Sequence, residues 1–94
     1  MNLSQSSRGY VVVSNKRFAK QLSKLPNEII EATLEVLTQI NTTGRLPEYK
    51  SLSGNLRGIH SVKVMVVYRL LILIDHEEKR VTTFSIGHRR EIYR

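Results

Sequence analysis

The sequence predicts a small α+β domain: an N-terminal strand, a helical hairpin, then a three-stranded antiparallel meander. Three observations carry this. Apolar residues recur at helical spacing between Phe18 and Ile40. From Ile59 onward they alternate or run continuously, as strands do. Between these regimes, Arg45 to Gly58 is rich in loop-forming residues. The 94 residues suit a single domain, 1–94, large enough to bury one modest core.

Residues 1–9 are polar and read as a flexible arm. Tyr10-Val11-Val12-Val13 is a β-branched run that makes one strand. Ser14 or Asn15 can then cap a helix, because a short side-chain oxygen accepts from a free N–H of the first turn. In that helix Phe18, Leu22 and Leu25 share a face, and Lys16, Arg17, Lys20 and Lys24 take the outer positions. Pro26 ends it, and Asn27 is the expected cap of a second helix over Glu28 to Ile40. Its stripe is Ile29, Ile30, Leu34, Val36, Leu37 and Ile40, and Glu28 favours the positive end of the helix dipole. The meander strands are Ile59–Val64, Val67–Ile74 and Lys79–Ile86, with turns at Met65-Val66 and at Asp75-His76-Glu77-Glu78.

Composition removes several function classes. There is no cysteine, hence no disulfide, thiolate metal site or thiol nucleophile. His60 and His76 have no partner at ligand spacing, so no metal is expected. No glycine-rich phosphate loop or serine nucleophile motif occurs. The apolar run Val62–Ile74 contains Lys63 and Arg69 and is too short to span a bilayer, and Met1–Arg8 has no apolar signal core. A cytoplasmic protein without a membrane partner is the expectation.

Charge gives the first positive indication. Fifteen Lys and Arg against eight Asp and Glu leave +7. Residues 1–25 carry five positive side chains and no negative ones; 26–54 net −2; 55–94 net +4. Basic ends around an acidic middle suit a polyanionic partner such as nucleic acid.

Strand alternation sorts the meander into two faces. Tyr68, Leu70, Ile72 and Ile74 belong together and should pack under the helices, with Val62 and Val64. Arg69, Leu71, Leu73 and Asp75 then face the uncovered side, with Ser61 and Lys63. A hairpin between these strands brings Lys63 and Arg69 close, and a phosphate between the two cations would relieve their repulsion. Leu71 and Leu73 on an uncovered face suit a docking chain. The segment Ile86 to Arg94 is the densest cluster, with arginines suited to phosphate, a histidine that exchanges protons near neutrality and a tyrosine that stacks or donates.

In order, Leu52-Ser53-Gly54-Asn55-Leu56-Arg57-Gly58, Lys63, Tyr68-Arg69-Leu70 and Ile86-Gly87-His88-Arg89-Arg90-Glu91-Ile92-Tyr93 resemble the RelE/ParE superfamily of bacterial toxins from type II toxin–antitoxin systems. The likeness runs from Asn15 to Arg94 and departs at Ser61, where RelE itself has a second basic residue. It implies a small α+β toxin fold and, in the RelE-like branch, a ribosome-dependent, metal-independent endoribonuclease that cuts mRNA without a cofactor and so inhibits translation. The 2′-OH would attack the adjacent phosphorus, leaving a 2′,3′-cyclic phosphate and a 5′-OH. The resemblance implies Arg69 and Arg89 as phosphate clamps, Lys63 as base or charge stabiliser, His88 as an acid, and Tyr93 as a stacking or proton-transfer group. Arg57, Arg90 and Arg94 are further expected RNA contacts. The implied partners are the ribosome, mRNA and a cognate acidic antitoxin in a hetero-oligomer. The antitoxin is expected on Leu71 and Leu73, ordering as it binds and covering or displacing the tail with Arg89 and Tyr93. The alternative branch is a ParE-like toxin that inhibits DNA gyrase without nuclease activity.

Overall fold

The computed structural model describes residues 9–52 and 58–92. In chain order these form β1 (Val11–Val13), α1 (Lys16–Ser23), α2 (Asn27–Thr43), β2 (Tyr49–Ser51), β3 (Ile59–Val64), β4 (Tyr68–Asp75) and β5 (Arg80–His88). The strands make one mixed sheet in the order β1-β5-β4-β3-β2, with β1 parallel to β5 and the other pairs antiparallel. The α+β class and the strand, helical hairpin and meander order are as the sequence predicts. Two strand placements extend that picture. β1 joins the meander's own sheet, and β2 lies within the stretch expected to be loop, where Tyr49, Lys50 and Ser51 are all exposed and give no burial pattern to read.

Local chemistry explains the helix ends. Asn15 caps α1, its Oδ1 accepting from the Phe18 N–H at 2.8 Å. Asn27 is not the cap of α2 but its first residue. Pro26 occupies the cap position with extended backbone and no side-chain bond, because proline stops α1 and leaves the next residue free to start a helix. α2 runs three residues past Ile40 and stops at Gly44, whose φ of 72° is the left-handed turn that glycine adopts at little cost.

Phe18 and Leu22 of α1 and Ile29, Leu37 and Ile40 of α2 cover Val62, Val64, Leu70, Ile72, Val81 and Ile86 of the sheet. Tyr68 and Ile74 pack against this core from its margins, so the expected helix-facing set holds. Beyond β1, the free edge of β5 is closed by α1: Gln21 Oε1 accepts from the Ile86 N–H (3.1 Å) and the Ser85 hydroxyl (3.2 Å). That removes an exposed strand edge as a pairing site.

One irregularity sets the geometry of the functional end. Leu71 pairs with Ser85 but Ile72 pairs with Thr83, so Phe84 is an extra residue and β5 bulges there. The bulge resets the alternation of β5. Ile86 pairs with Leu70 in the core, Gly87 pairs with Arg69, and His88 pairs with Tyr68.

Leu71 was expected as an exposed docking residue and is not one. It faces away from the main core yet is only 1% exposed, sitting mid-strand between Ser61 and Ser85, which are buried too. Leu73, nearer the strand end, is 38% exposed. No helix among the described residues is long and apolar enough to cross a membrane.

Candidate functional site

Lys63 and Arg69 are directly opposed across the β3–β4 pair, and Gly87 follows in the same row on β5. Like charges opposite each other in a sheet are unfavourable. Part of the cost is offset locally: Arg69 Nη1 donates to the Val66 and Tyr68 carbonyls, 3.0 Å each. Those bonds fix the guanidinium against the β3–β4 turn. Gly87 leaves the third position of the row without a side chain, and Ile92 packs against it instead. The chain then turns back, with the Arg89 N–H donating to the Val67 carbonyl at 2.7 Å. Ile92 folds over the turn, its Cδ1 lying 3.4 Å from where a Cβ on Gly87 would be.

Arg89 thereby joins Lys63 and Arg69 around a cleft of about 660 Å³, completed by Ser61 and by Pro47, Glu48, Tyr49 and Lys50 at the β2 edge. Lys50, Lys63, Arg69 and Arg89 face one carboxylate, Glu48, among the lining residues. Among the described residues no carboxylate lies within ion-pair distance of Lys63, Arg69 or Arg89; the Asp75–Arg80 pair (3.8 Å) is at the other end of the sheet. The cleft is thus a cationic, half-open groove with bidentate-capable arginines, matched to a phosphodiester.

Lys63, Arg69 and Arg89 are brought together as expected. His88 is not with them. Its ring meets Tyr68 edge-on at 5.7 Å between centroids, on the helix-covered side, within a second groove shared with Arg17 and Gln21 of α1 and with Lys24, the residue that caps its end. His88 Nδ1 accepts from the Arg90 N–H at 3.1 Å, and the His88 carbonyl accepts from the Glu91 and Ile92 N–H groups. His88 therefore shapes the turn that presents Arg89. Arg90 is exposed on that turn. Arg57, Tyr93 and Arg94 lie outside the described residues.

Glu48 and Lys50 are the charged cleft residues that sequence reasoning missed. Both sit at a strand too short and too exposed to show a period. His60 and His76 lie elsewhere. His60 Nδ1 is 3.0 Å from the Ser51 hydroxyl and its ring is 4.7 Å from Tyr49, while His76 Nδ1 is 3.0 Å from the Tyr10 hydroxyl. Among the described residues no group of three or more His, Asp or Glu is placed to hold a metal ion.

Solved structures with a similar fold exist. RelBE2, a toxin–antitoxin complex from Mycobacterium tuberculosis, superposes with a TM-score of 0.70 at 28% identity, over 94% of this chain and 100% of that one. The chain has the RelE/ParE-like toxin fold. YafQ from E. coli gives a TM-score of 0.73 at 15% identity, covering 90% of this chain and 99% of that one. The archaeal RelE–RelB complex from Pyrococcus horikoshii gives 0.67 at 18%, covering 87% and 97%. No family model matches the sequence, and no curated protein does. The likeness therefore rests on the fold and on 28% identity, over 94% of this chain, to a chain of the mycobacterial complex.

Proposed function

We propose that the chain is the toxin of a toxin–antitoxin pair and a metal-independent endoribonuclease that cuts mRNA on the ribosome. The observation that carries this reading is the row Lys63–Arg69 joined by Arg89 in one open cleft, with no carboxylate among the described residues paired to them.

Arg69 and Arg89 grip the non-bridging oxygens of the scissile phosphate, and their fixed charge meets the negative charge that grows as the 2′-oxygen bonds to phosphorus. Glu48 is the lining group whose chemistry suits removal of the 2′-OH proton, and Lys63 supports the phosphorane charge or returns a proton to the leaving 5′-oxygen. The P–O5′ bond breaks, giving a 2′,3′-cyclic phosphate on one fragment and a 5′-OH on the other. Tyr93 remains a proposed stacking or proton-transfer group, and Arg57, Arg90 and Arg94 remain proposed RNA contacts. His88 acts through the turn rather than on the phosphate. A cognate acidic antitoxin is the proposed partner, with Leu73 as its exposed apolar contact on the sheet and the Arg89 turn as the element it covers or displaces.

The test is product analysis on programmed ribosomes with purified protein. New RNA ends carrying a cyclic phosphate, formed equally in the presence of a chelator, are expected. Glu48→Gln should slow the reaction by about 10²- to 10³-fold with ribosome binding intact. Intact mRNA together with trapped gyrase–DNA complexes would contradict the nuclease and select the gyrase-directed alternative.

A further inference from the structure

The tip of the β3–β4 hairpin has the wrong chemistry for an ordinary turn. Hairpin turns are usually built from Gly, Asn and Asp. Here Met65 and Val66 are 54% and 70% exposed, large apolar side chains directed at solvent. Met65 also has a φ of 56°, a conformation that favours glycine or asparagine and costs another residue about 1 kcal/mol. The flanking pairs Val64–Tyr68 and Lys63–Arg69 hold this turn in place.

The same turn is the scaffold of the cleft. The Val66 carbonyl accepts from the Arg69 guanidinium and the Val67 carbonyl accepts from the Arg89 N–H. The apolar tip and two of the phosphate-binding residues are therefore one hydrogen-bonded unit. The tip borders the cleft rather than lining it, with the Val66 carbonyl 3.0 Å from Arg69 Nη1.

We propose that Met65 and Val66 form the nucleobase contact of the cleft, packing against the face of an unpaired base next to the phosphate held by Arg69 and Lys63. The inference rests on the nuclease reading above and assigns how that site grips its RNA. Every base offers a flat face, and Met65 contributes a polarisable thioether suited to an aromatic ring. The cationic surroundings select a polyanion over an uncharged peptide, and two side chains are far too small an area to anchor a protein by themselves. Single-stranded RNA is thus the occupant, with an antitoxin side chain as the competing outcome.

Two variants test it on programmed ribosomes. With Val66→p-benzoylphenylalanine, illumination should attach the protein to mRNA within one or two nucleotides of the cut. Met65→Ser/Val66→Ser should raise KM about tenfold, change kcat by less than about twofold and flatten base preference beside the cut, with the melting temperature unchanged. Cross-links confined to ribosomal RNA or to a co-expressed antitoxin would overturn the proposal while leaving the nuclease reading intact, as would unaltered kinetics in the double variant. Absence of cutting by the wild-type protein is the distinct result that removes the nuclease reading and this inference with it.

Discussion

At the scale of single residues, the site is made by cations placed where a sheet disfavours them. Lys63 and Arg69 are opposed across two strands, and Arg69 is tied by its own Nη1 to two carbonyls of the adjacent turn. A lysine at that position would carry the charge but not the planar fork that serves the turn and a phosphate together. Arg69→Lys should therefore slow RNA cutting by roughly 10- to 100-fold, measured as single-turnover rate, rather than rescue it. A second residue-level expectation concerns stability. Thr33 is fully buried in α2 and its hydroxyl has no hydrogen-bond partner among the described residues. An unpartnered buried hydroxyl costs about 1–3 kcal/mol, so Thr33→Val should raise the urea midpoint, with a gain near 1 kcal/mol. A lower midpoint would mean that the hydroxyl is satisfied in solution.

At the scale of elements, the bulge at Phe84 and the helix α1 decide which face each residue of the chain's end serves. Regular alternation along β5 would have put His88 on the same side as Arg69. The extra residue moves it to the side of Tyr68, where it bonds the Arg90 N–H. His88→Ala should then slow cutting by no more than about tenfold, against the 10²- to 10⁴-fold expected of a proton-transfer group. A loss as large as that of Arg69→Ala would place the imidazole on the substrate after all. Gln21 has the other structural task, satisfying the free edge of β5 from α1. Gln21→Leu strands the Ile86 N–H and should cost about 1–3 kcal/mol in denaturant unfolding.

These elements also show what could be read from sequence alone. The helices, the meander and the Lys63–Arg69 pair were legible because period and burial coincide there. The cap of α1 was legible to within one residue, Ser14 or Asn15, because both stand just before an amphipathic run, and the structure selects Asn15. β2 was not, since all three of its residues are exposed, and Glu48 and Lys50 were missed with it. The position of His88 was hidden because a bulge leaves no mark on composition. The burial of Leu71 was hidden because alternation gives a residue's side of the sheet, not what surrounds it there.

For the whole molecule, charge and topology converge on one end of the sheet. Among the described residues four basic side chains line the cleft, while the Asp75–Arg80 pair sits at the far end of β4 and β5. If each cleft cation meets one phosphate, the affinity for single-stranded RNA should fall with salt at a log–log slope of about −3, and Lys50→Ala should reduce that slope by about 0.7. Fluorescence titration across a salt series measures both. The central claim, that this cleft cuts mRNA on the ribosome, is tested most directly by mapping mRNA 5′ ends in a translating extract with wild-type protein and with Arg69→Ala. New ends at codons in the ribosomal A site, lost in a variant whose circular dichroism spectrum matches wild type, are the expected result. Unbroken mRNA with the wild-type protein, or ends that persist undiminished in Arg69→Ala, would contradict the account.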